Sequence, residues 1–450
     1  MSGLRNGFGT AREAVRTQLW PLPAIGVVAA VAIGVGLPRL DGDVDGHLPA
    51  WSGQYLFGGD ADAARTVLDA IAGSLITVTS LTFSLTVVTL QLASGQFSPR
   101  LLRTFTRDLF VQATLALFVA TFTYALTVLR TVRTASDGQA LFVPRLSVTF
   151  GFVLAIASVL GLVLFLAHLA RQIRVETMLR NVHADASDIA NRVLEKAEPI
   201  GAQSPLPTPP ATARAVTAPG SGFLVRVNEP ALLTAAVDAD AIIVLDAHPG
   251  DSMVEGTPIA WIWPRQGSNF DPEQSAQLEA CLRAAVMVGF ERTSTQDIGL
   301  GLRQLTDVAC KALSPGINDP TTAIHALGHS AALLCEIAGR ALGPRVMTDT
   351  DQVIRVVLRR PDLADLLDLA ISQPRRYGAH DPTVLAQIYV LLRQLAWSAP
   401  PDQGDVILAQ LARLEVTAAA QDFDATEQAR LAACGSLVRS ATERRWGSIA

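Results

Sequence analysis

Four stretches of this chain run without Asp, Glu, Lys or Arg for about the distance an α-helix needs to cross a bilayer: Pro21 to Pro38, Ala70 to Leu92, Leu109 to Leu129 and Val148 to Leu169. A hydrocarbon core about 30 Å thick takes about 20 helical residues. Only a helix or a closed barrel satisfies its own backbone in lipid. The four stretches are therefore read as membrane-spanning helices. The first follows Arg5, Arg12 and Arg16 in the manner of a secretory signal, yet it reads as a retained span. Composition agrees, with 50% hydrophobic and 17% charged residues against a globular norm of about 25% charged. Disordered, collagen-like and disulfide-scaffold classes are excluded.

At 450 residues and roughly 150 per domain, two to four structural units are expected. The reading is a four-span transmembrane domain over 1–175, a helical stalk and Pro-rich linker over 176–215, a small β module over 216–266, and a mainly helical cytoplasmic domain over 267–450. The fold class is thus a membrane α-helical domain joined to a cytoplasmic α+β region. Net charge is −5 with no long basic run, so no nucleic-acid partner is expected. Cys281, Cys310, Cys335 and Cys434 form no CxxC pair and read as reduced, buried side chains.

Arginines near span ends set the expected orientation, because cationic flanks stay in the cytoplasm. Arg5, Arg12 and Arg16, then Arg100, Arg103 and Arg107, then Arg171, Arg174 and Arg180 mark three inside positions. Asp41, Asp43, Asp45, Asp60 and Asp62 crowd the loop between spans one and two, which is placed outside. Arg130, Arg133 and Arg145 run against this pattern. The sum places both termini on the cytoplasmic side of a bacterial inner membrane.

Span two is dense in hydroxyls. On a 3.6-residue helix Thr77, Ser80, Ser84 and Gln91 share one stripe, while Thr79, Thr82, Thr86 and Thr89 share another. Such hydroxyls often bond back to the carbonyl one turn earlier and let helices approach closely. The functional reading makes Thr77, Ser80, Ser84, Thr82, Thr86 and Gln91 pore-lining. No Asp, Glu, Lys or His lies mid-span, which disfavours a proton-coupled carrier. His168 is placed at the interface.

Beyond the spans, Arg171 to Glu198 reads as a helix, and the prolines from Pro199 to Pro210 break it. GFLVRV, a short helix over Ala231 to Ala236, AIIVLD, a Pro249-Gly250-Asp251 turn and PIAWIW are similar in order to the half-barrel of lipoyl, biotinyl and membrane-fusion domains. With no lysine in that segment, a swinging-arm carrier role is excluded.

Further on, Asp297 to Ala323 reads as two helices around a Ser314-Pro315-Gly316 break. Asp319 caps the second helix and Pro320 opens it. A binding reading assigns Arg303, Gln304, Lys311, Ser314, Asn318, Asp319 and Thr321 to a ligand or partner motif, with an anion at the helix start as one occupant. His325 and His329 stand i, i+4 and could ligate a metal. No glutamate lies between them and no third ligand is identifiable, so no metal and no cofactor are expected. VIRVVL near Val353 to Leu358 reads as a strand, followed by helices over 361–372, 382–397, 404–420 and 426–444. No catalytic motif is present, so no enzyme activity is expected.

The segments Gln96-Phe97-Ser98-Pro99-Arg100, Glu291-Arg292-Thr293, Arg303-Gln304-Leu305 and Ala312 to Ala323 carry a resemblance. The chain resembles the bacterial predicted membrane proteins grouped as domain of unknown function 2254, from span one to about Leu395. That resemblance implies a membrane location and this layout, and no reaction. The leading expectation is an oligomeric channel-like or transport-related module with a regulatory cytoplasmic domain, in contact with the bilayer and with copies of itself. The alternative is a non-transporting sensor or scaffold that binds a cytoplasmic protein through the 312–323 turn and neighbouring helices.

Overall fold

A computed structural model describes residues 20–44, 56–96, 108–133, 142–172, 174–196, 205–266 and 270–447, in two compact units, Met1–Arg174 and Val175–Ala450. The first unit holds α1 (Pro21–Val44), α2 (Ala61–Gln96), α3 (Leu109–Leu129) and α4 (Arg145–Gln172). All four are long and apolar enough to cross a membrane. With 36 residues, α2 is about 54 Å long at 1.5 Å per residue. Its charged first turns therefore extend past the apolar run.

Leu68, Phe118, Tyr124, Val128 and Val148 are fully buried between these helices. Outward, Val28 and Ile33 of α1 and Val153, Val159, Leu160 and Val163 of α4 are exposed. A continuous apolar exterior of this kind is costly in water and matches a hydrocarbon solvent. Small residues set how closely the helices approach. A Cβ at Gly34 would lie 2.9 Å from Thr127, so α1 and α3 touch at a separation that only glycine permits there.

The sequence reading leaves Asp41 in an exterior loop, whereas the structure buries it in the last turn of α1, 1% exposed. Its carboxylate accepts from Leu146 N at 2.8 Å, Ser147 N at 3.0 Å and Ser147 Oγ at 2.6 Å. Those amides belong to the first turn of α4 and have no intrahelical acceptor, so Asp41 caps one helix from the end of another. Tyr124 donates to Ser147 O at 2.8 Å and draws α3 into the same joint. Arg65 donates to Val132 O at 3.0 Å and ties α2 to the end of α3.

The second unit opens with α5 (Val175–Val193), which buries Met178, Leu179, Val182, Ala186, Ile189 and Ala190. Among the described residues eight strands follow in two sheets. They are β1 (Arg214–Thr217), β2 (Gly222–Val227), β3 (Ala241–Leu245), β4 (Ser252–Met253), β5 (Pro258–Pro264), β6 (Val286–Gly289), β7 (Arg345–Thr348) and β8 (Ile354–Leu358). The five-stranded sheet runs β1-β5-β3-β8-β7 and the three-stranded one β4-β2-β6. The helices α6 (Glu229–Asp238) and α7 (Pro272–Ala285) belong to this part, and Leu232 and Leu282 reach its core beside Leu224, Ile243 and Ile262.

These strands form no closed barrel among the described residues, so the expected half-barrel is not what this segment builds. Its central strand β3 pairs in parallel with β8, Ile243 opposite Val356 and Leu245 opposite Leu358. Parallel pairing needs a long crossover, and here the partner arrives more than a hundred residues later. No local pattern in 216–266 announces it.

The remaining helices are α8 (Leu300–Ala312), α9 (Pro320–Ala338), α10 (Leu363–Tyr377), α11 (Pro382–Ser398), α12 (Gly404–Ala419) and α13 (Ala425–Thr442). Aspartate caps recur at helix starts in this unit, although α8 and α12 begin without a side-chain cap. Asp271, Asp319 and Asp381 each cap a helix whose first residue is proline, and Asp362 and Asp424 form capping boxes with Asp365 and Glu427.

Replacing Asp41 by Asn puts an amide donor where only acceptors fit. Losing charge-assisted bonds at a buried site costs about 2 kcal/mol or more. Thermal unfolding of the detergent-solubilised chain is expected to show Asp41→Asn well below wild type, with the exposed Asp62→Asn unchanged.

Candidate functional site

The six hydroxyl and amide residues proposed for span two do not share a face. Thr77, Ser80, Ser84 and Gln91 point out of the four-helix unit, whereas Thr82 and Thr86, with Thr89, point in. Several hydroxyls bond back along α2: Thr77 to Gly73 O, Thr79 to Leu75 O, Thr86 to Thr82 O and Thr89 to Leu85 O. Ser80 and Ser84 have no side-chain hydrogen bond among the described residues, and Thr82 Oγ1 is buried without one. The motif from Phe97 to Arg100, and Arg103 and Arg107, lie outside the described residues.

Thr86 and Thr89 line a cleft with Leu90, Asp108, Val111, Leu169 and Gln172. Because both hydroxyl hydrogens are spent on backbone carbonyls, each threonine offers the cleft only oxygen lone pairs. Asp108 is the N-cap of α3. It accepts from Phe110 N at 2.9 Å and Val111 N at 3.5 Å through one oxygen. Its other oxygen lies 2.5 Å from His168 Nε2 and accepts from Gln172 Nε2 at 3.1 Å. The carboxylate sits at the start of α3 and the imidazole in the last turns of α4. The Phe110 ring stacks on His168 with centroids 4.7 Å apart. An acid, an amide and hydroxyl acceptors around one cleft can orient a small polar solute, and His168 holds the acid from behind. Sequence placed His168 at an interface and left Asp108 unremarked. The available signal was an aspartate directly before an apolar run, but nothing local says which helix end lies beside it.

In the second unit, the 312–323 turn is satisfied internally. Asp319 N donates to Ala312 O, and Ile317 N and Asn318 N donate to Ser314 O. Ser314 Oγ donates to Lys311 O. Asn318 adopts φ +49°, a left-handed conformation Asn tolerates better than most residues. Asp319 accepts from the backbone and hydroxyl of Thr322, which hold its carboxyl below the usual range. An anion at this helix start would face that carboxylate. Lys311 and Thr321 are exposed, and Arg303 and Gln304 are half-buried on α8. Burial pushes the Cys310 thiol up to about 12, making it inert.

His325 is exposed and His329 half-buried. The His329 ring faces His183 of α5, centroids 5.6 Å apart. No group of three or more His, Cys, Asp or Glu is placed to hold a metal among the described residues. Burial, then the neighbouring His183, His325 and Arg180, lower the His329 pKa below 6.5. The unfolded chain therefore takes up a proton that the folded chain resists. Stability is complete above pH 6.5 and declines as pH falls below it toward the folded value. Thermal midpoints measured between pH 7.5 and 5 are expected to drop for wild type and to drop less steeply for His329→Gln.

Glu291-Arg292-Thr293 contains a role that the sequence alone did not assign. Arg292 makes a bidentate pair with Asp297, Nε to Oδ2 at 2.7 Å and the terminal nitrogen to Oδ1 at 3.0 Å. Asp297 is 2% exposed and also accepts from Gly299 N. Gly250, at φ +102°, rests against this pair, and a Cβ there would lie 2.5 Å from Asp297 Oδ2. By contrast, Gly256, at φ +82°, faces open space. Gly250→Ala is expected to cost about 1–3 kcal/mol of strain plus the displaced ion pair, and Gly256→Ala the strain alone. Thermal unfolding followed by tryptophan fluorescence separates the two.

A bundle of four apolar helices followed by an α+β unit defines a multi-pass membrane protein. The family described as a predicted membrane protein, domain of unknown function 2254, matches residues 16–394, and the chain belongs to it. Uncharacterized proteins of Mycobacterium bovis and Mycobacterium tuberculosis are each 38% identical over 442 residues, covering 96% of this chain and 82% of theirs. No solved structure is significantly similar.

Proposed function

We propose that this chain works in a bacterial inner membrane as an oligomeric, channel-like or transport-related module, with both termini and a regulatory α+β unit in the cytoplasm. One observation carries the reading. The stripe formed by Thr77, Ser80, Ser84 and Gln91 faces away from the other three helices, in the middle and at one end of an otherwise apolar span. Against lipid, Ser80, Ser84 and the Gln91 amide would be unsolvated, whereas against the same stripe of other copies they gain partners or border water. Interhelical hydrogen bonds of this kind contribute only about 0.6 kcal/mol each. The assembly therefore rests on close packing along the small residues, and the polar groups select which face meets. The orientation rests on the arginine flanks.

Copper-catalysed crosslinking of Ser80→Cys in isolated membranes is expected to give disulfide-linked oligomers. Val159→Cys, on the exposed face of α4, is expected to give none beyond the background of the native cysteines. In liposomes, wild type should support ion or small-solute flux that Ser84→Leu reduces several-fold. Absence of both the crosslink and the flux would overturn the proposal.

A further inference from the structure

We infer that one end of the α+β unit, formed by the start of α5, the 313–319 turn and the end of α10, rests on a bilayer surface that carries anionic headgroups. Ile317 and Tyr377 enter the headgroup layer, and Lys311 and Arg376 meet its phosphates. The inference needs only that α4 lies in a membrane, not that the span-two stripe forms a pore.

Side-chain contacts fix which helix ends lie together. His183 of α5 faces His329 of α9, and further along Ser187 donates to Glu336, so these two helices run side by side in the same direction. At 1.5 Å per residue, Val175 lies about 12 Å before His183 and Pro320 about 14 Å before His329. The start of α5 is therefore level with the 313–319 turn, which Asp319 N closes onto Ala312 O. The helices α8 and α10 also share a direction, because Thr306 Oγ1 donates to Leu369 O and Cys310 Sγ to Gln373 Oε1. Arg376 and Tyr377 consequently end α10 beside the end of α8. Between α4, which ends at Gln172, and α5, which begins at Val175, stand only Ile173 and Arg174. This end of the unit is thus joined almost directly to a helix apolar enough to cross a membrane. Such a tether holds a bilayer surface within reach at high effective concentration, so a weak affinity suffices.

The exposed side chains of this end fit that surface. Ile317 is 41% exposed and Tyr377 60% exposed. Together they offer on the order of 200 Å² of side chain, far below the roughly 800 Å² that each partner contributes to a stable protein interface. A tyrosine does suit the headgroup level of a membrane, where its ring has an apolar and a wet side. Lys311 and Arg376 are exposed with no side-chain acceptor among the described residues, and Arg180 is exposed just over one turn into α5. Glu176 is an exposed acid beside them, whereas Asp319 and Asp381 are spent on capping α9 and α11. Asp422 and Asp424 lie in the turn between α12 and α13, helices that pack on α10 and α11, while α5 packs on α8 and α9. The side nearest the start of α5 is therefore the basic one, and each Lys or Arg close to an anionic bilayer strengthens binding about fivefold.

The test places an environment-sensitive fluorophore on Ile317→Cys in the full-length chain in nanodiscs, with Cys281→Ser removing the exposed native thiol. Phe290→Cys serves as the control: Phe290 is 91% exposed and lies just before Ser294, whose carbonyl Arg192 reaches from the last turn of α5. With phosphatidylglycerol in the disc, a nitroxide high on the lipid acyl chain is expected to quench the Ile317 label at least twofold more than the Phe290 label. Lys311→Gln and Arg376→Gln together should remove most of that difference. Replacing phosphatidylglycerol by phosphatidylcholine, or raising the salt, should do the same. Equal quenching at the two positions would overturn the inference. So would quenching that ignores both the lipid charge and the paired Gln substitutions. A label shielded from water yet unquenched would overturn it as well, by putting a protein surface against the turn.

Discussion

Hydrocarbon surrounding an apolar helix is as apolar as the helix, so the hydrophobic effect that gathers a water-soluble core cannot tell α4 where to stand among its neighbours. The membrane unit solves this with carboxylates at both ends of that helix. Asp41 reaches from α1 to the free amides at the start of α4, and Asp108, from the head of α3, engages His168 and Gln172 near its end. Each carboxylate lies where a helix dipole accepts negative charge, Asp41 fully buried and Asp108 partly so. Between the joints, close contacts such as Gly34 against Thr127 supply the dispersion that lipid cannot outcompete.

The α+β unit obeys the opposite solvent logic. Water drives Leu224, Ile243, Leu245 and Ile262 together, and hydrogen-bond geometry then decides which strands lie side by side. Polar pairs hold particular loops in place. Asp297 is buried and pairs with the half-buried Arg292, which gives the turn at Gly250 a surface to rest on. His183 and His329 meet where α5 faces α9, and burial lowers the His329 pKa, so this contact weakens as the pH falls.

Much of the layout was legible residue by residue. The third span begins and ends where its apolar run does, because Asp108 and Arg130 bound it. The Asp-Pro pairs at 271, 319 and 381 mark helix starts, since proline fits the first turn without losing a hydrogen bond and aspartate caps it. The two faces of α2 were also implied by helical spacing, but which of them looks inward was not. Asp108 and His168 stand 60 positions apart, and their 2.5 Å contact has no local signature.

Solvent preference is a property of each segment taken alone, so the amino-acid order determined by itself which four segments are long and apolar enough for lipid. It likewise determined most helix boundaries, because caps and prolines act within one turn. Tertiary structure decided which polar groups meet: Asp41 with Ser147, Asp108 with His168, Arg292 with Asp297 and Gly250, β3 with β8. Each of these depends on the closure of the chain between the partners, and that closure is set by the packing of everything else rather than by residues near either one.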